Sequence, residues 1–173
     1  MTDSIDLLED GFTRIRDTVQ RATDGLGPET LGARIDPEAN TIAWLVWHLT
    51  RVQDDHIADA AGTEQVWTSS GWADRFGLPF ADEATGYGQS PDEVAQVAGP
   101  GVTAESLVGY HEAVFAATTA YLRSISEGEL DRVVDEAWDP PVTLAVRLVS
   151  ILSDDLQHAG QASFVRGVVE RRA

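Results

Sequence analysis

The chain has 173 residues, 43% of them hydrophobic, with 29 acidic against 12 basic side chains and a formal net charge of −17. That length supports one domain with a sizeable core, so residues 1–173 read as a single domain. The charge excludes nucleic acid and an anionic membrane as partners, since both recruit positive charge, and the absence of cysteine excludes a disulfide, a zinc–thiolate site and a cysteine nucleophile.

Residues 3–24 have a helical stripe of Ile5, Leu7, Leu8, Phe12, Ile15, Val19 and Ala22, with Asp3 or Ser4 as cap and Gly25, Gly27 and Pro28 as stop. A connection over 26–38 follows. Residues 39–61 read as a second helix, capped by Asn40 or Thr41 and ended by Gly62, with Trp44, Leu45, Leu49 and Val52 on its apolar face. His48 lies on that face, and Asp55 follows two turns later on the same side. Residues 62–101 break the helical pattern. A connection this long is functional or carries short helices; "WADRF" fits one or two turns, and "SPDEVAQVA" has Ser90 as cap, Pro91 at the first position and Glu93 at the capping-box position. The aromatics between Trp67 and Tyr87 either form a lid or pack the loop down. A third helix spans 103–126, capped by Thr103, with Leu107, Tyr110, Val114, Ala117, Tyr121 and Leu122 on its stripe. After a second connection at 127–142, where paired prolines forbid helix, Leu144 to Arg172 read as one long final helix. No segment reads as strand. The fold class is all-α, a four-helix bundle with a long connection between helices two and three. The acidic N-terminus and the lack of an apolar run of ~18 residues predict a cytoplasmic protein. All the basic residues are arginine, a composition associated with a high-GC genome.

The final helix carries Asp154 and His158 four residues apart, so their side chains meet on one surface. Asp155 lies near the middle of the apolar stripe, where a carboxylate is costly unless paired or metal-bound. With His48 from helix two, these residues make a two-histidine, one-carboxylate set with open positions. Zinc with a bound water is the default for such a set, and nickel or iron are alternatives. Wheel geometry favours Asp155 slightly as the carboxylate, and Asp154 stays open. The simpler alternative is that His48 is a hydrogen-bonded core histidine and the aspartates pair with Arg51 or Arg147. Asp55 can orient a ligand or bind substrate, and His56 can shuttle protons or be a partly exposed helix residue. Gln161 can contact a bound water. Arg51 and Arg166 can hold the carboxylate of a small ligand or neutralise the aspartates. His111 reads as a surface or packing residue.

The segments "NTIAWLVWHLTRVQDDHIADAAG" and "DPPVTLAVRLVSILSDDLQHAGQASFVRG" resemble the DinB-like metal-binding four-helix-bundle superfamily. The likeness is strongest to its actinobacterial branch of mycothiol-dependent transferases and the metal-binding domain of mycothiol-dependent maleylpyruvate isomerase. The resemblance implies a divalent metal near one end of the bundle, held by His48, Asp154 and His158, and it favours Asp154 over Asp155. Many relatives carry His or Glu at that position, and Asp is shorter than Glu by one methylene. The implied activity is transfer of a small thiol, mycothiol or a related compound, to an electrophile, with the metal holding the thiolate. Asp55 and His56 would act on the substrates, and Arg51, Gln161 and Arg166 would bind the thiol. Alternatives are a hydrolase using metal-bound water, or a non-catalytic stress-related binding protein. The partners are a small thiol and an electrophile, with a homodimer through bundle faces left open.

Overall fold

The computed structural model describes residues 3–172. Helix α1 (Ser4–Thr23) begins where the Asp3 carboxylate accepts the Asp6 amide at 2.9 Å, a capping box for donors that a first turn leaves unpaired. Its stripe of Phe12, Ile15, Val19 and Ala22 is buried. The first connection is not wholly irregular: α2 (Pro28–Leu31) makes one turn and inserts Leu31 into the core. Helix α3 (Ile42–Ala61) starts at Thr41, whose hydroxyl accepts the Trp44 amide at 3.0 Å, and ends at Gly62 with φ 68°, a conformation open to glycine without steric penalty. Every residue from Thr41 to Arg51 is buried, so α3 is surrounded by the other elements.

The long connection carries three short helices, α4 (Val66–Ser69), α5 (Trp72–Phe76) and α6 (Pro91–Val94). The capping box at Ser90 forms, with the Ser90 amide on Glu93 at 2.8 Å. The helix it starts stops at Val94, ahead of Gly99 at φ 107° and Pro100. Helix α7 (Ala104–Ser124) follows a Thr103 cap, and α8 (Leu144–Arg172) closes the fold. Between them lie a 3-10 turn at Glu127–Asp131 and an antiparallel pair, β1 (Val133–Asp135) and β2 (Val142–Thr143). Val133 faces Thr143 and Asp135 faces Val142, with a bulge between. This hairpin corrects the expectation of no strand: segments of two and three residues are too short to display a period of two.

Helix α1 packs on α7 and α8, and α3 packs on the same two. The ring order is therefore α1, α7, α3, α8, with the first and second long helices diagonal. The all-α bundle is as the sequence predicts. Among the described residues no helix is long and apolar enough to cross a membrane.

Polar side chains line the seam between α3 and α7. The Thr50 hydroxyl donates to the Val46 carbonyl at 2.7 Å, so its oxygen accepts from His111 Nδ1–H, 3.2 Å away. His111 is a packing residue, and burial, helped by the nearby Arg16, lowers its pKa from 6.5 to about 4. A base whose folded pKa lies below its unfolded value contributes full stability above the unfolded pKa and loses it as pH falls toward the folded one. Between about pH 7 and pH 5 this group should remove about 2 kcal/mol. Urea unfolding at both pH values should show a loss that is about 2 kcal/mol smaller in His111→Gln than in the wild type.

Candidate metal centre

Helices α3 and α8 lie side by side, which sets the face carrying His48 against the one carrying Asp154 and His158. One ligand atom from each residue falls within 4.8 Å of the others. His158 Nε2 is 3.5 Å from Asp154 Oδ1, and the two imidazole centroids are 4.8 Å apart. His48 Nδ1 is 2.6 Å from the Thr85 carbonyl, which only accepts, so that nitrogen carries the proton and Nε2 presents a lone pair. His158 Nδ1 lies 2.9 Å from Gln161 Oε1, an acceptor for the proton on that nitrogen. Histidine ligands are characteristically held this way by a partner on the other ring nitrogen. Trp44 stacks on His48 at 4.5 Å and 15°, and its indole N–H donates to Gln89 at 2.7 Å.

These residues fit a divalent ion. His48 Nε2 is free for one, His158 Nε2 would exchange its contact with Asp154 Oδ1 for it, and Asp154 Oδ2 is buried without a hydrogen-bond partner, an expensive state that a cation relieves. Tetrahedral zinc with bonds of ~2.0–2.1 Å places its ligand atoms roughly 3.4 Å apart. The ligand atoms, within 4.8 Å of one another, would draw together on binding.

The two neighbouring carboxylates point apart. Asp154, half-buried, has its pKa lowered by the hydrogen bond to His158 and the nearby histidines, against the effect of burial. Asp155 is fully buried, and desolvation, followed by the Asp154 charge, pushes its carboxyl well up. Wheel geometry is right that Asp155 faces the core centre, but the cluster lies on the adjoining seam and takes Asp154. For His48, burial lowers the pKa, with the Thr85 bond opposing. For His158 burial also acts downward, yet Asp154 and Gln161 outweigh it and raise the value.

A cavity of about 350 Å³ opens beside the cluster, lined by His48, Asp154, Asp55, His56, Thr85 and Tyr87 among others. Asp55 and His56 are thus brought to the site. Gln161 orients His158 directly. Arg51 has no exposed surface: its donors reach the Ala84 carbonyl at 3.1 Å, the Asp82 carbonyl at 2.8 Å and Gln65 at 2.7 Å. It holds the loop behind the cluster, with no donor directed at a ligand in the cavity. Arg166 bonds Glu170 at 2.7 Å and the Arg21 carbonyl at 2.5 Å, so the structure turns it to the end of α1. Of the loop aromatics, Trp67 and Phe76 pack down on Tyr110, while Tyr87 stands exposed at the cavity rim.

Thr85, Gly86 and Gln89 have no counterpart in the sequence prediction, and Trp44 was read only as part of the apolar face of helix two. Thr85 acts through its carbonyl, which any residue possesses. Gly86 carried a signal: it has φ 95°, and a Cβ there would sit 2.9 Å from Trp47 and 3.0 Å from His48 Nδ1.

The class of protein is thus an all-α bundle with a His/Asp/His cluster of metal-ligand type beside an open cavity. The mycothiol-S-transferase family model matches residues 7–170, and the chain belongs to that family. Membership points to mycothiol-related transfer. The chain is also similar to a solved structure, a conserved protein from Enterococcus faecalis, at 30% identity and TM-score 0.88, with 96% of each chain covered. No curated protein matches it.

Gly86→Ala should push Thr85 off His48 while leaving the bundle folded. Zinc affinity measured by competition with a chelator should fall about ten- to hundred-fold, the usual loss when a ligand's hydrogen-bond partner is removed. Unchanged affinity would show that the loop does not hold His48.

Proposed function

We propose that the protein is a divalent-metal-dependent transferase that presents a low-molecular-weight thiol of the mycothiol type to a small electrophile. The carrying observation is the convergence of His48, Asp154 and His158 ligand atoms beside a cavity that His48 and Asp154 line, with both Nδ1 atoms already committed to protein oxygens. Three protein ligands leave room for an exogenous one, whereas structural zinc sites close their shell with four. Zinc is the default ion for this donor set, with nickel or iron as alternatives. A divalent ion there would supply a Lewis acid that keeps a coordinated thiol deprotonated at neutral pH.

The chain's own residues set the rest. It has no cysteine, so the sulfur arrives with a small molecule, in keeping with a family named for mycothiol. Thr85 and Gln161 hold the two imidazoles, and Trp44 covers one face of His48. Asp55 and His56, on the α3 wall, meet the substrates; Gln65 holds one Asp55 oxygen at 2.7 Å.

Tag-free protein reconstituted with zinc should retain about one ion per chain, because a preformed site of this kind binds tightly at neutral pH. His48→Ala and His158→Ala should lose it, and Asp155→Asn should keep it. In cobalt-substituted protein, mycothiol should produce a sulfur-to-cobalt charge-transfer band. Wild type that binds no ion defeats the reading, and turnover of a substrate without any thiol replaces it with hydrolysis.

A further inference from the structure

The solvent-facing side of α8 carries no charge along most of its length. Between residues 146 and 167 the charged side chains are Arg147, Asp154, Asp155 and Arg166. All four turn to other elements: Arg147 to Asp135 on the hairpin, Asp154 to the histidines at the α3 seam, Asp155 to the core, and Arg166 to the Arg21 carbonyl of α1. What faces water instead is Val146, Val149, Leu156 and Phe164, each between 48% and 61% exposed. Ser153, Gly160 and Gly167 complete the stripe. Its positions follow at steps of three and four, the period of a seam between two helices. The outer side of α1, by contrast, carries Asp10, Arg14 and Asp17, as a solvated helix face does. In a chain with 24% charged residues and a net charge of −17, a long apolar stripe without charge marks an interaction surface.

Gly160 points the same way. It lies inside a helix of 29 residues, and no atom stands within 4 Å of where its Cβ would be. Nothing within the chain therefore requires glycine there, although glycine costs about 1 kcal/mol of helix stability relative to alanine. Close approach of a second backbone accounts for it.

We propose that this stripe packs on the same stripe of a second copy, the two α8 helices running antiparallel about a two-fold axis beside Leu156. Side-chain sizes match in that direction. Turning one stripe end for end sets Val146 against Gly167, Val149 against Phe164 and Ser153 against Gly160, with Leu156 at the axis. A parallel pair would set Phe164 on Phe164 and leave a gap between two copies of Gly160. Charges match as well. The helix ends in Arg171 and Arg172, both exposed, the second also donating to the Ile35 carbonyl at 3.1 Å. Glu170 beside them is paired with Arg166. The turn leading into the start of the helix carries Glu136 and Asp139, also exposed. Antiparallel docking brings the basic end of each copy to the acidic end of the other, whereas parallel docking sets like charge on like. The contact is isologous, so the assembly closes at two copies. Asp154 and His158 leave α8 on its α3 side, and the pairing holds whichever ion or thiol their site takes.

Sedimentation equilibrium on tag-free full-length protein at micromolar concentration should give twice the mass of one chain. Gly160→Gln and Leu156→Glu should each raise the dissociation constant about a hundred-fold or more, because every substitution enters the interface twice near its centre. Both side chains would point to solvent in one chain alone, and Gly160→Gln raises helix propensity, so the helical circular dichroism of both variants should match the wild type. The chain has no cysteine, which lets disulfide trapping read the register. Val149→Cys mixed with Phe164→Cys should cross-link on oxidation. Neither variant should cross-link to itself, since like positions in the antiparallel pair stand roughly 20 Å apart along the seam, beyond the reach of a disulfide. A wild type that stays monomeric at high micromolar concentration overturns the proposal and leaves the stripe to a different protein. A dimer that both substitutions leave intact places the contact on another face and overturns it too. Self-cross-linking of either cysteine variant refutes the antiparallel register.

Discussion

A guanidinium with no exposed surface holds the candidate centre from behind. Burying Arg51 is expensive unless its donors are matched and its charge is balanced. The match comes from the long connection: Asp82 and Ala84 offer carbonyls, and Gln65 and Tyr110 offer side-chain oxygens. The balance comes from Asp54, 3.7 Å away, which also accepts the Val66 and Trp67 amides and the Tyr110 hydroxyl. The start and the middle of the connection are thereby pinned to neighbouring turns of α3. Thr85 follows Ala84 directly, so the clamp that satisfies Arg51 also delivers a carbonyl to His48.

That dependence explains what could be read from the sequence. The long helices were legible because each pairs a cap with an apolar stripe, and α8 spans Leu144–Arg172 as its pattern indicates. The grouping of His48 with Asp154 and His158 was legible because polar ligand types stand inside two apolar stripes. The choice between Asp154 and Asp155 was harder. Adjacent helical residues point roughly 100° apart, and burial alone asks which one faces the core. The centre lies on the α3 seam, a different direction, so the more buried residue is not the one beside the histidines. Arg51 was misplaced as a ligand-binding residue because nothing local shows that carbonyls more than thirty residues later take its donors.

The same logic separates the roles of two neighbouring carboxylates. Asp155 sits where desolvation dominates and favours the neutral acid. Asp154, one residue earlier, faces histidines that favour its anion. A neutral residue in the core and an anion at the cavity are what a cation site needs: the charge belongs where the ligand atoms converge. If both were ionised, their repulsion would fall within one helical turn and raise the energy of the fold.

The geometry also bears on rigidity. His48 is constrained on one ring edge by Thr85, on one face by Trp44 and at its side by His158. A site held before its ligand arrives loses less conformational freedom on binding. Two turns further along the same α3 wall stands His56, set by Arg147 of α8 and Asp135 from a hairpin whose strands are too short to be stable alone. That hairpin runs straight into α8, where the Leu144 amide donates to the Arg132 carbonyl at 2.8 Å. The helix that bears Asp154 and His158 therefore also anchors the segment that orients His56. A shift of α8 along α3 would therefore disturb two contacts at once, the grouping of Asp154 and His158 with His48 and the contact of Arg147 with His56.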